Sequence, residues 1–178
     1  MSLLKKLREY LPTFEEASVH QQTIAFIQMH PNCFDRSLEI GHITASAWLL
    51  DNTGTKALLL HHAKLDCWVQ PGGHCDGDTD VLRVAIKEAQ EESGISQIEA
   101  VSKNIFDLDI HQIPEKGPVK AHLHYDIRFL LQVKSDEIAR KNHESRELRW
   151  IDEILPTNSR SVVRMFEKWK AKSSLLQK

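Results

Sequence analysis

The chain has 178 residues, 41% of them hydrophobic and 27% charged, with a formal net charge of −2. That length suits a single globular unit with a substantial core. The near-neutral charge argues against a large nucleic-acid-binding face, though not against a small nucleotide ligand. No apolar run is long enough to span a bilayer, so no membrane partner is expected. Cys33, Cys67 and Cys75 are odd in number and irregularly spaced, which predicts neither a disulfide framework nor a zinc site. The opening stretch MSLLKKLREYL lacks the apolar centre of a signal peptide. A soluble, reducing, cytoplasmic setting is therefore expected.

In chain order, Leu3, Leu4, Leu7 and Leu11 repeat with helical period until Pro12 interrupts. Thr13 followed by Glu16 is a capping-box signal for a second helix running to about His30, before Pro31. These segments are expected to pack on the main domain, as an extension over residues 1–38 beside a domain over 39–178. The alternative is that they offer a homodimer surface. From Gly41 the pattern changes to strands: Ile43–Leu50 and Lys56–His62 flank the turn sequence Asp51-Asn52-Thr53-Gly54 and predict a hairpin. Trp68–Gln70 reads as a short extended piece ending at Pro71, followed by a Gly72-Gly73 turn and an acidic loop. A helix is expected from about Asp78–Asp80 to Gly94, the usual left-handed residue after a helix.

Residues 98–111 read as extended and 112–121 as a loop containing Pro and Gly. The strand over 122–132 alternates, with Leu123, Tyr125, Ile127 and Phe129 on one face and His122, His124, Asp126 and Arg128 on the other. The polar face is either solvated or functional. Leu148–Ile151 gives a further strand. Ser159–Leu176 gives a terminal helix whose buried side would be Val162, Val163, Phe166 and Trp169. Strands around a central helix, with more helix at both ends, indicate a mixed-sheet α/β (α+β) sandwich.

The central helix carries the chemistry. Leu82, Ala85, Ile86 and Ala89 form one apolar stripe, and Glu88, Glu91 and Glu92 gather on an adjacent face. Three carboxylates within one turn repel one another, and a hard divalent cation such as Mg²⁺, or Mn²⁺, would relieve that with oxygen ligands. The paired glycines let backbone approach such an ion closely.

Residues Gly73–Ile95 resemble the Nudix box, G-x5-E-x7-R-E-U-x-E-E-x-G-U with U apolar. Gly73, Glu88, Ala89, Glu91, Glu92, Gly94 and Ile95 stand at the required spacing, with Pro71-Gly72-Gly73 as the usual lead-in. Two positions depart: Thr79 stands where the pattern has its first Glu, and Lys87 where it has Arg. Lys keeps the charge but loses the planar fork. Asp78 or Asp80 is expected to stand in for the missing carboxylate.

The resemblance implies a Nudix-type α/β/α sandwich with a mixed sheet and an N-terminal helical extension. It also implies hydrolysis of a diphosphate linkage, in a nucleoside diphosphate linked to some group X, by metal-activated water. Glu88, Glu91 and Glu92 would bind Mg²⁺ or Mn²⁺ with the Gly72 carbonyl, supported by Gly73 and Lys87. A general base from outside the box is expected at Glu144, with Glu147 as the other candidate. Arg128, His122 and His124 are candidates for substrate contact, Arg128 because guanidinium suits phosphate. Trp48 reads as core, and His74, beside the glycines, as a residue able to reach the site. The competing reading is a nucleotide-binding or sensing module on the same fold without turnover. A third, an isomerase on that fold, would need a marked catalytic Cys, and none is evident.

Overall fold

The computed structural model describes residues 2–64, 66–153, 157 and 159–175, the last three by backbone alone. Eight strands make one curled mixed sheet: β1 (Gly41–Leu50), β2 (Ala57–His62), β3 (Cys67–Val69), β4 (Gly72–His74), β5 (Ile98–Ala100), β6 (Asp107–Ile113), β7 (His122–Val133) and β8 (Ser145–Ile151). The main path runs β3-β2-β1-β7-β5, while β4 pairs with β1, β6 with β7 and β8 with β2. At its centre β1 and β7 run parallel, from Gly41 opposite Leu123 to Leu50 opposite Gln132. The helices are α1 (Leu3–Glu9), α2 (Ala17–Met29), α3 (Val81–Ser93) and α4 (Arg160–Leu175).

Period-2 alternation on the two central strands creates the layers. Ile43, Ala45, Ala47 and Leu49 join Tyr125, Ile127, Phe129 and Leu131 in a core that also takes Leu3, Leu7 and Phe26 from the N-terminal helices and Val81, Val84, Ala85 and Ala89 from α3. On the other side Trp48, Leu59, Phe106 and Leu130 meet Val162, Met165 and Trp169 of α4. The sheet is thus covered on both faces, which is the expected sandwich.

Several expectations shift in register. Leu11 is exposed, and α1 buries Leu3 and Leu7 only. On α3 the buried stripe is Val81, Val84, Ala85 and Ala89, and Leu82 and Ile86 sit at its margin. In α4, Met165 is buried while Val163 and Phe166 are half-buried; Leu176 lies outside the described residues. The expected extended run over 98–111 is two strands separated by an irregular segment.

Thr13 and Glu16 do form the Glu half of a capping box, because the Glu16 carboxylate accepts from the Thr13 backbone N–H at 2.9 Å and from its hydroxyl at 2.8 Å. The same carboxylate, fully buried, also accepts from Leu108 N–H at 3.2 Å, from the Tyr10 hydroxyl, and pairs with Lys168 of α4. A local cap is therefore also a long-range anchor.

The glycine pair is not a turn. It lies in β4, antiparallel to β1, with Gly72 opposite Ser46 and Gly73 opposite Ala45. A β-carbon on Gly72 would collide with the Ser46 hydroxyl and the Ala45 carbonyl, and one on Gly73 with the Glu88 carboxylate. Glycine is needed here for close approach, the second of its two common uses.

Candidate active site

Helix α3 begins at Asp80, whose Oδ1 accepts from Arg83 N–H at 3.3 Å, and ends at Gly94 with φ of +68°. Its apolar stripe seats it on the sheet so that its flank meets β4. There Glu92, 5% exposed, accepts a 2.8 Å hydrogen bond from Gly72 N–H. Burial pushes the Glu92 carboxyl up to about 8, against the Gly72 hydrogen bond and with the charges of Glu88, Glu144 and Glu91 adding to the rise. Glu88 lies against Gly73 and is also raised, first by burial, with Lys87 opposing and Glu91 and Glu144 reinforcing. These carboxylates are crowded and dehydrated, so an added cation would be favoured.

Glu91 points outward, with its side chain 56% exposed. Lys87 spans the pair, 3.2 Å from Glu88 and 3.1 Å from Glu91. The ammonium thus stands between the two carboxylates as a point charge. Glu144, on the segment before β8, is close enough to act electrostatically on Glu88, Glu92 and His74. Glu147 is instead bound to Arg149 at 3.0 Å, on an exposed stretch.

Asp78 and Asp80 do not turn toward this cluster. Asp78 holds the Arg83 guanidinium at 2.8 and 2.9 Å, and Asp80 caps α3. The carboxylate nearer the site is Asp76, a non-glycine residue in the left-handed region at φ of +50°, paired with both sides of the Arg36 guanidinium. Arg36 in turn feels the charge of Glu88. Asp76 is not singled out by the sequence, since a Cys-Asp-Gly-Asp run carries no mark of which Asp pairs with an arginine from elsewhere in the chain.

The polar face of β7 is buried at Asp126 and Arg128 and half-buried at His122 and His124. Arg128 is 2% exposed, and its guanidinium donates to Asp126 at 2.7 Å and to Asp107 and Asp109 at 3.1 Å each. The expectation that Arg128 contacts substrate is corrected: α4 and β6 cover it, and three carboxylates hold it. Asp126 also accepts from Thr44 at 3.0 Å, Ser46 at 2.8 Å and Gln70 at 3.3 Å. Trp48 is fully buried.

Further along the same face lie His122 and His124, joined by His42 of β1, His74 of β4 and His111 of β6 in one cluster of rings. His42 and His111 went unnoticed in the sequence. The available signal was His42-Thr44-Ser46, polar residues at alternate positions of an otherwise apolar strand.

A mixed sheet sandwiched by helices, with an acidic helix pressed on a glycine strand, is the architecture that the Nudix-box resemblance implies. The NUDIX domain profile matches residues 41–162, and the chain belongs to the Nudix hydrolase family. It is 29% identical over 104 residues to bis(5'-nucleosyl)-tetraphosphatase (asymmetrical) of Rattus norvegicus, covering 57% of this chain and 67% of the relative. Among solved structures it resembles a C. elegans Ap4A hydrolase binary complex, with TM-score 0.57, 19% identity, and 74% and 97% of the two chains covered. It also resembles a MutT protein from Methanosarcina mazei Go1, with TM-score 0.59, 20% identity, and 76% and 97% covered. At these identities the structural likeness establishes the fold.

Proposed function

We propose that the protein hydrolyses a diphosphate linkage in a nucleoside diphosphate joined to a further group X. In this reading Glu88, Glu91, Glu92 and the Gly72 carbonyl hold Mg²⁺ or Mn²⁺. The observation that carries it is the pair of half-buried Glu88 and buried Glu92, raised by dehydration and pressed against Gly72-Gly73. An all-oxygen set of this kind fits a hard divalent cation better than a softer one. Such a cation, when bound, neutralises the diphosphate and makes water more acidic.

The chain's own residues supply the rest. Gly72 N–H fixes one Glu92 oxygen, leaving the other free to act. Lys87 holds Glu88 and Glu91 in register while leaving their remaining oxygens available. Glu144, half-exposed and facing the cluster, takes the proton from the attacking water as general base. The left-handed Asp76 and its Arg36 partner form the rim on the side of His74, where a guanidinium can meet phosphate oxygens.

The relatives' names make a bis(5'-nucleosyl) tetraphosphate the first compound to try, beside nucleoside triphosphates, nucleotide sugars and ADP-ribose. With Mg²⁺ present, one of these is turned over. Glu144→Gln then lowers kcat by about 10²–10⁴-fold, the usual weight of a general base, while Glu147→Gln leaves it near the wild-type value. The opposite ranking would move the base to Glu147. Tight binding of a nucleotide without turnover would make the protein a sensing module.

A further inference from the structure

Diphosphate hydrolysis on carboxylates needs no histidine, yet five of them meet on the polar face of β1 and β7, the face opposite the one that seats α3. We propose that His42, His74 and His124, with His122 as fourth ligand, form a tetrahedral site for a transition metal of the zinc class, separate from the carboxylate site. This assignment stands independently of the proposed hydrolysis.

His42 is the central observation. It is 3% exposed, and neither ring nitrogen has a hydrogen-bond partner. Its ring faces those of His74 and His122 at 5.0 Å and of His124 at 4.8 Å between centroids. A buried imidazole with no partner is an unsatisfied polar group, and such groups in native structures call for an explanation such as an ion. Ligand atoms of His42, His74 and His124 all lie within 4.8 Å of one another. Nitrogens about 2.0–2.1 Å from a tetrahedral zinc are spaced roughly 3.3 Å apart. His122 stands at the edge of that set, its Nε2 3.3 Å from the Nε2 of His124.

The protonation states agree. Burial, then the charges of neighbouring histidines, pushes His42 down to about 4 and His124 to about 2. The Leu38 backbone is near enough to favour protonated His42 a little without closing a hydrogen bond. His74 is also lowered, chiefly by burial. Burial thus favours the neutral form of the His42 and His124 rings, the form that offers a lone pair to an ion. His122 Nδ1 lies 2.8 Å from the Lys120 carbonyl, so that nitrogen donates and Nε2 is left as the ligand. Metal-binding histidines are commonly oriented by such a second contact. Imidazole nitrogens suit zinc, nickel or copper, whereas Mg²⁺ prefers oxygen. The competing arrangement, a plain His122–His124 hydrogen bond, satisfies those two and still leaves His42 unpaired.

Four protein ligands close a site, which makes it structural rather than catalytic. They come from β1, β4 and β7, so the ion would pin β4, the strand on which Glu88 and Glu92 rest. The test uses the untagged full-length chain, stripped with chelator and then exposed to ZnCl₂ or MgCl₂. The expected result is one zinc per chain by elemental analysis, a Tm raised by zinc and not by equal magnesium, and a tetrahedral visible spectrum with Co²⁺. His124→Gln and the more peripheral His122→Gln should each weaken zinc by more than about tenfold, and Glu88→Gln/Glu92→Gln should not. No zinc retention with no Tm response would overturn the proposal. So would zinc binding that survives His124→Gln and His122→Gln but is lost in the glutamate double variant.

Discussion

Gly72 and Gly73 lack side chains because two different neighbours fill the space where one would be: the Ser46 hydroxyl in the first case, the Glu88 carboxylate in the second. Gly73→Ala therefore acts on the site more than on the fold. Its methyl displaces Glu88, and turnover is expected to fall on the order of 10²-fold, the scale of a misplacement near 1 Å, with circular dichroism unchanged. Wild-type turnover in Gly73→Ala would mean that Glu88 is not held where the chemistry needs it. The residues of this site were unequally legible. Helical spacing alone gathers Glu88, Glu91 and Glu92 on one face, whereas the place before a strand singled out Glu144 and Glu147 alike. The glycines were recognised but read as a turn, since spacing alone does not reveal a strand that approaches another too closely for a β-carbon. His42 was hidden because His42, Thr44 and Ser46, alternating along an apolar strand, read as an ordinary polar strand face.

Strand β7 shows what alternation tells and what it leaves open. The two faces were assigned correctly from period 2, but whether the polar face meets water, substrate or more protein depends on β6 and α4, which pack against it from elsewhere in the chain. The result is a buried ionic network in which Asp107 meets Arg128 at 3.1 Å, Arg164 at 2.8 Å and Lys168 at 2.9 Å. Burial raises the Asp107 carboxyl, yet the Arg164 hydrogen bond and the charges of Arg128 and Lys168 outweigh it and hold it at about 2, below its ordinary 3.8. A depressed carboxyl contributes stability above its unfolded value and loses that contribution as pH falls through the folded one. Native stability should accordingly decline by roughly 2 kcal/mol from this group between about pH 4 and pH 2. Asp107→Asn is expected to be less stable at neutral pH but to show a shallower acid decline in urea melts. An unchanged slope would remove Asp107 from the acid response.

At the scale of the whole molecule, the N-terminal helices share the main core. Leu7 is fully buried with α3 and the sheet, Phe26 stacks on Tyr125 with centroids 3.9 Å apart, and Glu16 ties α2 to β6 and α4. Leu7→Ala should thus cost about 2–5 kcal/mol, as core truncations do, and lower the midpoint of a single urea transition. Two separate transitions would show that residues 1–30 unfold as a unit of their own. The sandwich itself was legible because strand, helix and turn signals agreed along most of the chain. The sharing of the core by its first helices was only half legible, since periodicity locates an apolar face without naming what covers it.

The most direct measurement is divalent-metal-dependent turnover of the best diphosphate substrate by wild type and by Glu92→Gln, at matched folding by circular dichroism. Robust turnover with Mg²⁺ is expected in the wild type, none with chelator, and a loss of at least about 10²-fold in the variant, comparable to removing one preorganised electrostatic contact. Turnover that is indifferent to chelator, or equal in the two proteins, would contradict the assignment of the Glu88–Glu92 cluster as the active site.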